Sequence, residues 1–188
     1  ITSKIGSGAT PKGGKDAYKE DGISLIRSLN IYDYEFKFTN LAHIDQTQAD
    51  RLKNVEIEEY DVLLNITGAS VARCCMVPST ILPARVNQHV SILRAAKADD
   101  AYFLLDSINS DRTKRQLLSL AQGGATREAL TKETLCNFEI VVPPKELLKK
   151  YASTASALHK QRQTLATKNT NLRQTRDLLL PKLLTPRQ

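Results

Sequence analysis

A long stretch of this chain holds no residue that bends a helix. Between Pro144 and Pro181 there is neither proline nor glycine, and Tyr151, Leu158, Leu165, Leu172 and Leu179 recur every seven residues. A seven-residue apolar period marks one seam of a long helix, and proline near position 144 suits its first turn. At ~1.5 Å of rise per residue, positions 145–180 span on the order of 54 Å, longer than a small domain is wide. The companion seam is weak: Ala155 is apolar, but Arg162, Asn169 and Arg176 are polar. A narrow leucine stripe with basic flanks cannot cover itself. The pattern therefore predicts a partner helix, most simply antiparallel, with the polar seam residues helping to fix register. The competing expectation, an amphipathic helix laid along its own domain, fits the length less well.

Charge divides at the same place. The 188 residues carry 27 Lys and Arg against 20 Asp and Glu, a net of +7. Residues 1–144 hold 17 basic and 18 acidic side chains, a net of −1, and residues 145–188 hold 10 and 2, a net of +8. A near-neutral domain over 1–143 is expected to precede a basic helix and tail over 144–188. A solvated helix face and a charge-driven partner surface explain the excess equally well. The absence of Trp and an aromatic share of 5% argue against an aromatic-lined carbohydrate or hydrophobic-ligand cleft. No apolar run reaches the ~18–20 residues of a membrane span. The chain opens without Met or a visible signal peptide, so a preceding segment is expected. Cys74, Cys75 and Cys136 form no CxxC, which fits a reducing cytoplasm better than a disulfide scaffold.

The domain reads as mostly β. The segment 6–15 is loop-like and glycine-rich but fits neither phosphate-binding template. A P-loop would need Gly where Ala9 stands and Ser or Thr where Asp16 stands. A dinucleotide fingerprint would need Gly where Pro11 stands, and a preceding strand that the pattern does not show. Strands are expected over 22–31, 61–67, 70–77 and 85–94, with a turn at Gly68-Ala69 and a short helix over 46–53. Asp99 and Asp100 can cap a helical stretch that stops at Gly123-Gly124. A short helical turn and a strand, Asn137 to Val142, complete the body. Strands at short spacing without intervening helices predict an α+β fold with a curled, mostly antiparallel sheet and peripheral helices. The long C-terminal helix is then free to form an antiparallel coiled coil.

Catalytic chemistry is not visible. Cys74 and Cys75 lie in an apolar strand, so they point to opposite faces and read as buried structural residues. His43, His89 and His159 are scattered without metal-ligand spacing, so no metal is expected. Glu58, Glu59 and Asp61 read as a solvated lead-in to a strand. There is no Asn-Pro-Pro-aromatic motif for amino-methylation and no helicase or nuclease signature, so no catalytic residue and no cofactor are assigned.

Several runs nevertheless form a recognisable set. Gly22-Ile23-Ser24-Leu25-Ile26-Arg27-Ser28-Leu29-Asn30 is followed by Asp61-Val62-Leu63-Leu64-Asn65-Ile66-Thr67-Gly68-Ala69-Ser70 and Pro83-Ala84-Arg85-Val86-Asn87-Gln88-His89-Val90. Then come Gly123-Gly124-Ala125-Thr126-Arg127-Glu128-Ala129-Leu130, Phe138-Glu139-Ile140-Val141-Val142-Pro143-Pro144, and a helix ending Leu178-Leu179-Leu180-Pro181-Lys182-Leu183-Leu184. In this order they resemble the target-recognition domain and long helix of type I restriction–modification specificity (S) subunits, over essentially the whole chain. The resemblance implies a non-catalytic reader of double-stranded DNA. In that family two such domains, held apart by antiparallel helices, each read half of a bipartite site. The subunit delivers methyltransferase (M) subunits, which use S-adenosylmethionine, and motor-nuclease (R) subunits, which use ATP. One domain and one helix is half of that architecture. The chain is then either a fragment or a natural half-subunit that pairs with itself as a two-fold homodimer.

The expected DNA contacts are hydrogen-bonding side chains on loops and strand ends. Ser7, Thr10, Lys12 and Lys15 lie in the first loop, and Thr67, Ser70 and Arg73 follow the 61–67 strand. Arg85, Asn87 and Gln88 are side-chain types that pair with guanine or adenine edges. Thr126 and Arg127 stand where backbone N–H groups and a guanidinium can meet phosphate. Asn87 and Gln88 have a second reading, as caps on backbone groups at a strand start, and Arg27 reads as an ion-pair partner. Two other functions stay open: the recognition module of a fused restriction–methylation enzyme, and a coiled-coil adaptor without a DNA role.

Overall fold

The computed structural model describes residues 1–122 and 129–184. In chain order the elements are β1 (Thr2–Ser7), β2 (Ile23–Ile26), β3 (Ile31–Tyr32), β4 (Glu35–Phe36), β5 (Ala42–Ile44) and α1 (Gln46–Arg51). They continue with β6 (Val62–Asn65), β7 (Cys74–Met76), β8 (Ala84–Val86), β9 (Val90–Ala95), α2 (Ala101–Asn109), α3 (Asp111–Gln122), α4 (Lys132–Cys136) and α5 (Lys145–Leu184).

The unbroken apolar run in β6 shows where the core lies. A strand covered on both faces has no polar side to alternate with. Leu63, Cys75 and Ile92 pack into one buried cluster with β2, β5, β8 and α1. Their neighbours Val62, Leu64, Cys74 and Leu93 pack into a second cluster with α2, α3 and α4. The four-stranded sheet β1-β9-β6-β7 is thus the middle layer, between the sheet β5-β2-β8 and the helices. All ladders are antiparallel except β2 with β8, so the α+β, mostly antiparallel expectation holds. The adjacent cysteines face opposite clusters and are both buried.

Several expected boundaries move. A strand does precede the glycine loop, because β1 pairs with β9 across the chain (Ile5 opposite Leu93), a partner no local pattern reveals. The 22–31 strand ends at Ile26, and Ser28–Asn30 is a 3-10 turn. The 85–94 strand is two strands in different sheets, β8 and β9, separated by a turn at 87–89. Helix α2 ends at Asn109, and Ser110 Oγ accepts from Thr113 N at 3.4 Å at the start of α3. Residues 138–142 form no strand. Asp61 is fully buried rather than solvated, and the Arg94 guanidinium grips it through Nε–Oδ1 at 2.7 Å and Nη2–Oδ2 at 2.8 Å. The long helix is present and runs to Leu184, with Pro181 inside its last turn.

Two glycines fix close approaches. A Cβ at Gly8 would lie 1.7 Å from the Val86 carbonyl oxygen, so only glycine lets the first loop lie on the end of β8. At Gly22 a Cβ would lie 2.5 Å from the Ile44 carbonyl oxygen, and φ is +136°.

Candidate nucleic-acid interface

Strands β1, β2, β6 and β8 end, and β9 begins, at one end of the stacked sheets. Loops from distant parts of the chain therefore meet there, and backbone hydrogen bonds tie them. Gly8 N donates to Asn87 O at 3.1 Å, Asn87 N to Ile26 O at 3.0 Å, and Ile66 N to His89 O at 3.0 Å. Asn65, fully buried at the end of β6, adds a side-chain stitch: its Nδ2 donates to Ser28 O at 2.9 Å and Ser70 Oγ at 3.1 Å. The first loop is pinned by Gln48, which accepts from Lys12 N at 3.3 Å and donates to Lys12 O at 3.0 Å. Ala72 holds a left-handed φ of +66° in the loop before β7, a conformation that costs a non-glycine residue about 1–2 kcal/mol. Replacing Asn65 with Ala is expected to lower unfolding stability by about 1–3 kcal/mol, the cost of orphaning buried partners. Urea denaturation checks this.

The expected contact residues separate into groups. Ser7, Thr10 and Lys12 are exposed on this edge, and Thr67, Ser70, Arg73 and Gln88 are half-buried there. Lys15 lies in the helical turn Gly14–Ala17, and its side chain is outside those described. Thr126 and Arg127, with Gly123 and Gly124, are outside the described residues. Arg85 is 4% exposed and already engaged: Nε donates to Ala49 O at 3.2 Å, Nη1 to Ala84 O at 2.9 Å, and Glu56 lies 3.5 Å away. Asn87 is also buried, and its Oδ1 accepts from His89 N at 3.0 Å, matching the backbone-capping reading. Arg73 lies 4.6 Å over the Tyr32 ring. Arg27 lies 5.1 Å over Tyr18 and donates to Asn40 O; among the described residues it meets no carboxylate in a salt bridge. Asn65, His89 and Tyr32 also belong to this edge, and neither residue type nor spacing marks His89 or Tyr32 for it. The one local signal was a polar Asn closing the apolar run of β6.

A second constellation seats the long helix. Leu148, Ala152 and Ala155 are buried against the body, with His159 and Arg162 continuing the same face at spacings of four and three. Asp106 of α2 is the anchor. It accepts from the Tyr151 hydroxyl and from His159 Nε2 at 3.0 Å, while Tyr102 stacks on His159 at 5.1 Å and Tyr34 carries Arg162 at 4.6 Å. Burial pulls the Asp106 carboxyl upward, but hydrogen bonds from His159, Tyr151 and Tyr34 outweigh it and hold it below its usual value. Burial first, then Asp106, pushes the Tyr34 hydroxyl up to about 12. Tyr151, expected to start the partner seam, thus packs on its own domain, edge to face with Phe103 at 5.8 Å. Leu158, Leu165, Leu172 and Leu179 are 59, 60, 66 and 48% exposed.

A depressed carboxyl stabilises the fold at pH above its unfolded value, about 3.9, and that contribution is lost as pH falls through the lower folded value. Asp106→Asn is therefore expected to destabilise the chain at neutral pH and to have less effect toward pH 2. Melting curves across that range test it.

Burial pushes the Cys74 and Cys75 thiols up, leaving both protonated and unreactive. Among the described residues no His, Cys, Asp and Glu group is placed to hold a metal ion, and no helix is long and apolar enough to cross a membrane.

No family model matches the chain. In sequence it is similar to the type I restriction enzyme HindI specificity subunit of Haemophilus influenzae, 23% identical over 177 residues that make up 94% of this chain and 38% of the relative. In fold it is similar to a solved chain from work on complex assembly and conformational transition of the type I R-M system. The TM-score is 0.59 at 18% sequence identity, covering 95% of this chain and 42% of that one. The chain spans less than half the length of either relative. The resemblance to type I specificity subunits carried by the ordered motifs is thus met again in sequence, and the fold is shared with a chain of a type I R-M system, each along nearly the whole chain.

Proposed function

We propose that the chain is a non-catalytic, sequence-specific DNA-recognition subunit of a type I restriction–modification complex, reading one half of a bipartite target. The observation that carries this is the gathering of loops 7–12, 27–30, 66–73 and 87–89 at one end of a rigid double sheet. Such a scaffold holds hydrogen-bonding side chains still while leaving their tips free for base edges. Residues 1–143 form the recognition domain and 144–188 the assembly helix. Ser7, Thr10, Lys12, Lys15, Thr67, Ser70, Arg73, Gln88, Thr126 and Arg127 make up the reading and phosphate-contacting set, while Arg85 and Asn87 hold its scaffold. With a net of −1 the domain depends on placed side chains rather than bulk charge.

The distal helix supports the assembly role. From 163 to 181 every residue is exposed, and the Leu158–Leu165–Leu172–Leu179 seam is left largely open to solvent among the described residues. That seam pairs antiparallel with a second helix, from another copy if the chain works as a half-subunit. The basic flanks face acidic surface on the M subunit, which recruits the R subunit in turn. Lys12→Ala is expected to weaken binding to all DNA sequences alike and to flatten the salt dependence by about one unit of slope. Anisotropy titrations over a salt series check this; an unchanged slope removes Lys12 from the phosphate contacts. If the chain binds partner helices but no DNA at moderate salt, with or without M subunit, the adaptor reading replaces this one.

A further inference from the structure

The turn that splits β8 from β9 places an imidazole between two of the reading loops. His89 Nδ1 lies 2.6 Å from Thr67 Oγ1, on the loop after β6, and its Nε2 lies 3.0 Å from Gln88 Nε2. The backbone holds the ring in place: His89 N donates to Asn87 Oδ1 at 3.0 Å, and His89 O accepts from Ile66 N at 3.0 Å. An amide nitrogen has only hydrogens to offer, so Nε2 of His89 is the acceptor for Gln88. A neutral imidazole then carries its proton on Nδ1 and donates it to Thr67 Oγ1. This leaves the Thr67 hydroxyl hydrogen free for a third partner. It also fixes the Gln88 amide with Oε1 turned away from the ring, and that oxygen is enclosed without a partner among the described residues. A free donor on Thr67 and an enclosed amide on Gln88 therefore sit on adjacent loops, and a single ring sets the orientation of both.

We propose that His89 is a positioning residue that orients the Thr67 hydroxyl presented to the DNA target and holds the Gln88 amide beside it. The inference rests on the DNA-recognition reading and deepens it: His89 governs the choice of base at one or two positions without touching a base. Phenylalanine at 89 keeps an aromatic ring of similar width and removes both hydrogen bonds. Asparagine places an amide nitrogen near the Nδ1 position, so it keeps the link to Thr67 and loses the one to Gln88.

The test selects binding sequences from a randomised duplex pool with the full chain, its His89→Phe and His89→Asn forms, and Thr67→Val and Gln88→Met. Melting and affinity for unrelated duplex are measured in parallel. The expected result is that His89→Phe relaxes preference at one or two base pairs by roughly tenfold, the scale of a lost base-pair discrimination. Affinity for unrelated DNA should not change, and His89→Asn should restore the part of the preference that Thr67→Val removes. An identical, equally stringent motif from His89→Phe overturns the role of His89 and leaves the DNA-recognition reading standing. If His89→Phe fails to fold, the other substitutions decide, since an unaltered motif from both Thr67→Val and Gln88→Met equally overturns it. A folded wild-type chain that enriches no sequence overturns the recognition reading and this inference with it.

Discussion

Replacing Arg94 with alanine is expected to cost about 3–5 kcal/mol of unfolding free energy, the range for removing one partner of a buried ion pair. The size follows from what is left behind. Asp61 has no exposed surface, and both its oxygens are held by Arg94, Oδ2 also accepting from Glu58 N at 2.8 Å. Without the guanidinium a carboxylate stays buried beside β6 with one backbone donor, a state far costlier than the pair was stabilising. The same guanidinium donates to Glu56 O at 3.0 Å, so the approach to β6 loses a second tie. Arg94→Lys is expected to recover only part of the loss, because an ammonium cannot span two carboxylate oxygens as the planar fork does. Urea unfolding followed by circular dichroism gives both values. A loss under 1 kcal/mol for Arg94→Ala would place Asp61 in contact with water.

The second large effect is on assembly rather than folding. With Leu165 and Leu172 both changed to serine, the recognition domain should still fold, since those side chains are 60 and 66% exposed and lie outside its buried core. Pairing through the helix should be lost. In a two-fold pair the change removes four leucines, each worth roughly 1.5–3 kcal/mol when buried, so the dissociation constant should rise by about four decades or more. Because 145–188 carries 10 basic and 2 acidic residues, pairing between copies should tighten as salt screens the flanks. Binding to an acidic M-subunit surface should weaken under the same change. Analytical ultracentrifugation across a salt series distinguishes the two contacts; wild-type monomer at all salt concentrations would reject self-pairing.

What the sequence made legible was local. The apolar run of β6, the opposed cysteines and the proline- and glycine-free helix each announce themselves by residue type and period, and each is present. What it hid depended on distant partners. Strand β1 is a polar string until β9 lies beside it, and the turn at 87–89 is held by Ile26, on another strand of the neighbouring sheet. Asp61 looked solvated because Arg94, its partner, lies 33 residues away. On the helix, the leucine seam was conspicuous and points to solvent. The face that docks is made of Leu148, two alanines and His159, whose weak hydropathy contrast gave no stripe to read. At the candidate interface the loop residues Ser7, Ser70 and Gln88 were legible as types. Their gathering at one sheet end, and the burial of Arg85 and Asn87 beneath it, follow from strand order alone.

Sequence reading by these loops is directly measurable. Its most direct test is selection from a randomised duplex pool by the purified chain at moderate salt, repeated with a type I M subunit present. The expected result is enrichment of one short motif, bipartite and symmetric if two copies pair, and loss of that motif without loss of folding when Thr67, Ser70 and Gln88 are changed together to alanine. A folded chain that leaves the pool unenriched under both conditions would contradict it.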